Sequence, residues 1–178
     1  QTVCSGSSVS FSVTATGAGL TYQWFNGATQ LNNGGSVSGA TSATLTLNNT
    51  TTADASASYN CVVSGTCAPS VNSNNATLVV NQAVAITTQP AITQTVCAGA
   101  SASFSVIATG TGLTYQWFKG ATQINNGGAV SGATSDTLTI NPIVLGDAAA
   151  NYRCVVSGTS PCTAVTSNNA ALVVNQLP

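Results

Sequence analysis

Thr21-Tyr22-Gln23-Trp24-Phe25, answered downstream by Ser58-Tyr59-Asn60-Cys61-Val62-Val63, is the stretch on which the fold turns. Successive side chains of an extended strand point to opposite faces, so Tyr22 and Trp24 share one face and Gln23 takes the other. Tyr59, Cys61 and Val63 line one face in the same way. Outward from this pair, Val9, Phe11 and Val13 alternate with Ser10 and Ser12, Leu45 and Leu47 alternate with Thr44 and Thr46, and Leu78 and Val80 close the set. Turn residues separate the segments: Gly6, Gly17-Ala18-Gly19, Asn26-Gly27, Asn33-Gly34-Gly35 and Gly65. Many short period-two segments punctuated by Gly and Asn predict an all-β fold in which antiparallel strands pack as a sandwich.

The whole pattern then occurs a second time. Gln1-Thr-Val-Cys4 returns as Gln94-Thr-Val-Cys97, and from there to the pair Cys61 and Cys154 the copies align over 61 positions without a gap, differing at 18. A period near 93 residues is too long for a solenoid unit and suits one autonomous β-sandwich. Two tandem domains are expected, residues 1–82 and 83–178. The boundary falls in Asn81–Thr93, where Pro90 interrupts any central strand. Ala83–Thr88 reads as the first strand of the second domain. The first domain has no counterpart to it, so both ends look like cuts through a longer array. The absent strand would come from a preceding linker or from another copy by strand addition.

Composition narrows the chemistry. Of 178 residues, Lys and Arg number 2, Asp and Glu 3, and there is no His. General acid–base work needs groups that titrate near neutrality and stand together. Asp54, Asp136 and Asp147 are far apart in sequence. Metal centres need clustered Cys, His or carboxylates, and Lys119 and Arg153 make no basic patch for phosphates. An enzyme, a bound cofactor, a metal and a nucleic-acid partner are therefore not expected. No apolar run is long enough for membrane insertion. A net charge of −1 gives little repulsion between copies, which predicts self-association that responds weakly to salt.

Tyr22-Gln-Trp24 with Tyr59-Asn-Cys61, repeated as Tyr115-Gln-Trp117 with Tyr152-Arg-Cys154, resembles the strand C tryptophan and strand F Tyr-x-Cys of immunoglobulin domains. Together with Val-Cys-x-Gly at the start and Ala-Thr-Leu-Val-Val at the close, the chain is similar to the immunoglobulin-like repeats of large bacterial secreted and cell-surface proteins. The resemblance implies two immunoglobulin-like antiparallel β-sandwiches with Trp24, Tyr59, Trp117 and Tyr152 as core pins. Val13 and Val106 replace the strand B cysteine of antibody domains, which leaves Cys61 and Cys154 facing the core without their usual partner.

The other four cysteines, Cys4, Cys67, Cys97 and Cys162, are disulfide candidates. In bacterial relatives the first and third cysteines of each domain are implied to pair. Two arrangements satisfy this: closure within each domain, with the first strand offset, or a bridge between neighbouring domains. Either form requires an oxidising compartment.

Phe25 and Phe118 fall on the face opposite the tryptophans and are a candidate contact surface. Lys119, in the strand C hairpin, reads as an exposed side chain. Asp54 and Asp147 stand where a carboxylate caps a turn. The sequons at Asn48 and Asn75 and the Asp136-Thr-Leu motif are short enough to arise by chance in a Thr-rich chain. The function expected is an extracellular structural or adhesive module on a bacterial cell surface, a spacer or a building block of a fibre or filament. Its partners would be neighbouring repeats or further copies of itself. The alternative is a carbohydrate- or host-binding module that engages glycans.

Overall fold

The computed structural model describes residues 1–176. The chain divides into two compact units, Gln1–Gln82 and Ala83–Pro178, each with its own hydrophobic core. In unit 1 the strands are β1 (Thr2–Cys4), β2 (Val9–Ser12), β3 (Thr21–Asn26), β4 (Thr29–Gln30), β5 (Val37–Ser38), β6 (Thr44–Leu47), β7 (Ser56–Ser64), β8 (Val71–Asn72) and β9 (Ala76–Asn81). In unit 2 they are β10 (Ala85–Thr88), β11 (Thr93–Cys97), β12 (Ala102–Ser105), β13 (Ile107–Thr109), β14 (Thr114–Lys119), β15 (Thr122–Gln123), β16 (Val130–Ser131), β17 (Thr137–Ile140), β18 (Ala149–Ser157), β19 (Val165–Thr166) and β20 (Ala170–Asn175).

Each unit is a sandwich of two sheets. In unit 1 one sheet runs β1-β9-β7-β3-β4, with β8 on β7, and the other runs β2-β6-β5. Unit 2 repeats both as β11-β20-β18-β14-β15, with β19 on β18, and β12-β17-β16. It adds a short sheet in which β10 pairs antiparallel with β13. The register places Trp24 opposite Cys61 and Trp117 opposite Cys154.

One pairing departs from the antiparallel expectation. β1 lies parallel to β9, with Cys4 opposite Asn81, and β11 lies parallel to β20, with Cys97 opposite Asn175. The alternation Thr-Val-Cys identifies a strand with one inward face. It carries no information on direction, because the direction is set by which sheet edge the chain reaches.

The inward positions of the sequence form the cores. Trp24 is 2% exposed and Trp117 is fully buried. Each indole nitrogen donates to a loop carbonyl, Ser42 or Ser135, at 2.9 Å, so a large apolar ring is buried without stranding its one donor. Phe11 stacks on Tyr59 at 5.2 Å between ring centroids, and Phe104 on Tyr152 at 5.1 Å. The turn from β5 to β6 requires glycine: Gly39 has φ of +74°, and a Cβ there would collide with the Thr44 carbonyl oxygen. Gly132 repeats the arrangement against Thr137.

Candidate functional site

The tyrosines close the corner that leads into β7 and β18. The Tyr59 hydroxyl donates to the Asp54 carbonyl oxygen at 2.8 Å, and Tyr152 donates to that of Asp147 at 2.7 Å. Both tyrosines are buried. Burial, with the nearby Asp carboxylate second, raises both hydroxyl pKa values, that of Tyr152 to about 12. The carboxylates face their own turns. Asp54 Oδ2 accepts from the Thr51 backbone nitrogen and hydroxyl at 2.7 and 2.9 Å, and Asp147 Oδ2 from the Val144 nitrogen at 2.8 Å. These are turn caps. Among the described residues no group of three or more Cys, His, Asp or Glu could hold a metal ion, and no helix is long and apolar enough to cross a membrane.

The six cysteines fall into three states. Cys61 and Cys154 are fully buried free thiols. Desolvation raises the pKa of both, that of Cys154 to about 11. Cys67 and Cys97 are exposed and free. Cys4 and Cys162 are disulfide-bonded. Of the four disulfide candidates, Cys4 and Cys162 are thus bonded, and Cys67 and Cys97 are free thiols.

Phe25 and Phe118 are half-buried, less open than strand alternation implies. The Arg153 guanidinium lies over the Phe118 ring at 5.2 Å. Lys119, expected to be exposed, is also half-buried. Its ammonium donates to the Gly146 carbonyl oxygen at 2.6 Å and stands 5.8 Å from the Tyr152 ring centroid. In both cases a long side chain brings its cationic group over a neighbouring ring, a contact that period-two reading does not see.

Unit 1 carries a groove of about 570 Å³. Its walls come from the segment after β2, Val13 to Leu20, and from the β7–β8 hairpin, including Val63, Gly65, Val71 and Ser73. No charged side chain lines it. Sequence reading did not find the groove. The signal available was the apolar Val13 and Val63, flanked by Gly17 and Gly65.

Solved structures that resemble the chain are immunoglobulin-domain proteins. An I-band fragment of titin superposes with a TM-score of 0.70 at 20% identity, covering 99% of this chain and 62% of that one. Extracellular domains 3–5 of Drosophila OTK give 0.75 at 16% identity, covering 98% and 59%. The insect immune protein hemolin gives 0.68 at 17%, covering 98% and 44%. The chain therefore spans less than two thirds of each, and identities this low carry the immunoglobulin-like fold alone. No protein of curated function matches the sequence. A family model described as a domain of unknown function, DUF8696, matches residues 86–176, just over half of the chain, and the chain belongs to that family.

Proposed function

We propose that the chain is an extracellular structural module, a spacer or building block of a fibre or filament on a bacterial cell surface. The observation that carries this reading is repetition down to individual bonds. Both units bury the same Trp, Tyr and Cys and close the same tyrosine corner. Both tie the same glutamine amide, Gln23 or Gln116, to the carbonyl oxygen 8 residues on at 2.7 Å. The 18 differences across the 61 aligned positions leave this scaffold untouched. A unit selected for one ligand would be expected to diverge from its neighbour around a binding surface. A unit selected to be one of many keeps its frame. The bonded Cys4 and Cys162 fit an oxidising, extracellular setting, and neighbouring repeats or further copies are the natural partners.

The test is exchange of units on a surface-displayed parent protein. A chain with unit 1 replaced by unit 2 should display and extend as the original does. A glycan array probed with the chain should stay blank. Saturable glycan binding that disappears on replacing one unit would overturn the spacer reading and favour a carbohydrate-binding module.

A further inference from the structure

Three asparagines precede a glycine: Asn26-Gly27, Asn33-Gly34 and Asn126-Gly127. At such a dipeptide the glycine nitrogen, with no side chain to shield it, can attack the side-chain carbonyl carbon of the asparagine. The fold holds the three nitrogens differently. Asn26 ends β3, and the Gly27 nitrogen donates to the Ser58 carbonyl oxygen of β7 at 2.9 Å. β3 and β7 are paired along their length, so freeing this nitrogen means parting two strands of the main sheet. Asn33 and Asn126 occupy the same place in each unit, exposed on the loops that precede β5 and β16. The nitrogens of Gly34 and Gly127 donate to the carbonyl oxygens of Val37 and Val130 at 2.9 Å, only three residues further on. Opening one turn frees them. A Cβ on either glycine would meet nothing within 4 Å, so a ring closed there has room. Asn33 Oδ1 accepts from the Ala40 backbone nitrogen at 2.8 Å, and Asn126 Oδ1 from that of Ala133 at 2.7 Å. Ala40 and Ala133 are fully buried, so each donor is fixed where negative charge would gather on Oδ1. Asn26 Oδ1 also accepts a bond, from the Ser56 hydroxyl at 2.6 Å. The glycine nitrogen, not the carboxamide, therefore sets the three sites apart.

We propose that Asn33 and Asn126 are spontaneous deamidation sites, one in each unit, and that the fold keeps Asn26 unreactive. When the turn from Gly34 to Val37 opens, the Gly34 N–H gives its proton to base in the solvent, and the nitrogen bonds to Cγ of Asn33. Negative charge gathers on Oδ1, facing the Ala40 N–H. The Cγ–Nδ2 bond then breaks, and the side-chain nitrogen takes up a proton and leaves as ammonia. Water adds to the succinimide that remains, and opening at one carbonyl or the other gives aspartate or isoaspartate. Nothing is oxidised or reduced. Aspartate still offers an oxygen to the Ala40 N–H, whereas isoaspartate adds a methylene to the main chain and breaks the bond between Gly34 and Val37. Each event adds one negative charge, so conversion at both sites takes the net charge from −1 to −3. In a chain this poor in charge, that is a large change in the repulsion between copies. This goes beyond the spacer reading, because it gives every unit of the type a charge that grows with age.

Two measurements on the intact chain test it. In the first, the folded chain is incubated at pH 8 in water enriched in oxygen-18, and its peptides are mapped by mass spectrometry. Asn33 and Asn126 should convert at least tenfold faster than Asn26, with the heavy oxygen in the product. In denaturant, where neither turn nor sheet survives, the three should convert at similar rates. In the second, hydrogen exchange on the fresh chain reads the gate itself. The Gly34 and Gly127 amides should be at least tenfold less protected than that of Gly27. If Asn26 converts as fast as the other two in the folded chain, the proposal is overturned. It is equally overturned if Asn33 and Asn126 stay intact in the folded chain while the denatured chain reacts, or if the three glycine amides are equally protected.

Discussion

The Tyr59 hydroxyl donates to the main-chain carbonyl of Asp54 across a 2.8 Å bond, and Tyr152 repeats it with Asp147 at 2.7 Å. Each bond ties the start of the longest strand of its unit to the short helical turn before it. Tyr→Phe at either position removes the donor and keeps the ring stacked on Phe11 or Phe104. The carbonyl left behind loses that partner in a part-buried corner, so each variant should lose about 1 kcal/mol of unfolding free energy. Urea denaturation of the single and double variants measures this. The sites lie in separate cores, so the losses should add.

The same tyrosines set an alkaline limit. The Tyr152 pKa is raised from 10.0 to about 12 by burial and by Asp147, so between those values the unfolded chain has released a proton that the folded chain still holds. Stability therefore falls as pH rises through this window, and is fully present below pH 10. Tyr59 shifts in the same direction. Cys154, raised from 9.0 to about 11, begins the decline one unit earlier. Melting temperature followed from pH 8 to 12 should be flat at first and then drop. Tyr152→Phe, combined with Cys154→Ala, should reduce the slope for unit 2.

Thiol chemistry should separate the free cysteines into two classes. Cys67 and Cys97 are exposed, while Cys61 and Cys154 are sealed in the cores and hold their protons more tightly than an ordinary thiol. Reactivity follows thiolate population and access. An aromatic disulfide reagent at pH 8 should modify two thiols per chain rapidly and two more only when denaturant opens the cores. Four rapid equivalents would contradict the burial of the strand F cysteines.

Much of this was legible in sequence, and the reasons are local. Trp24 and Tyr59 announce their burial because strand alternation and apolar side chains give the same answer. The 93-residue shift shows two units because the copies diverge so little. What escaped were relations that period-two reading does not encode. The parallel direction of β1 depends on which edge it reaches. The half-burial of Phe25 and Phe118 depends on neighbours that alternation does not name, Arg153 over Phe118 among them. The state of each candidate cysteine depends on where loops of different length place sulfur atoms. The groove is visible only by setting one unit against the other.

Thr50 offers a stabilising substitution drawn from that comparison. It is 1% exposed, and the aligned residue of unit 2, Ile143, is equally buried. The Thr50 hydroxyl donates to the Ser7 carbonyl oxygen at 2.9 Å, but that oxygen already accepts from the Thr50 backbone nitrogen at 2.9 Å. Ile143 keeps only the corresponding backbone bond, to Ala100. Thr50→Ile would thus leave no carbonyl unpaired and would remove a hydroxyl from an apolar site, with a gain of about 1 kcal/mol. A fall in denaturation midpoint would show that the unit 1 site has no room for the ethyl group that replaces the hydroxyl.

The strongest contrast concerns Val13 and Val106, aligned residues with different surroundings. Val106 is 2% exposed beneath β10, whereas Val13 is half-buried at the groove wall. Truncating a buried valine costs its transfer free energy plus a cavity, and truncating one already open to water costs much less. Val106→Ala should therefore lose about 2–3 kcal/mol and Val13→Ala under about 1 kcal/mol. Amide hydrogen exchange resolves the two units, and in the parent chain it should show unit 1 opening more readily than unit 2, since β10 and Val84 cover the one and nothing described covers the other. Placing residues 82–93 ahead of Gln1 should then raise the cost of Val13→Ala toward that of Val106→Ala. If the two costs are already equal without the added strand, the groove wall is as well packed as the closed core, and the difference between the units has no energetic consequence.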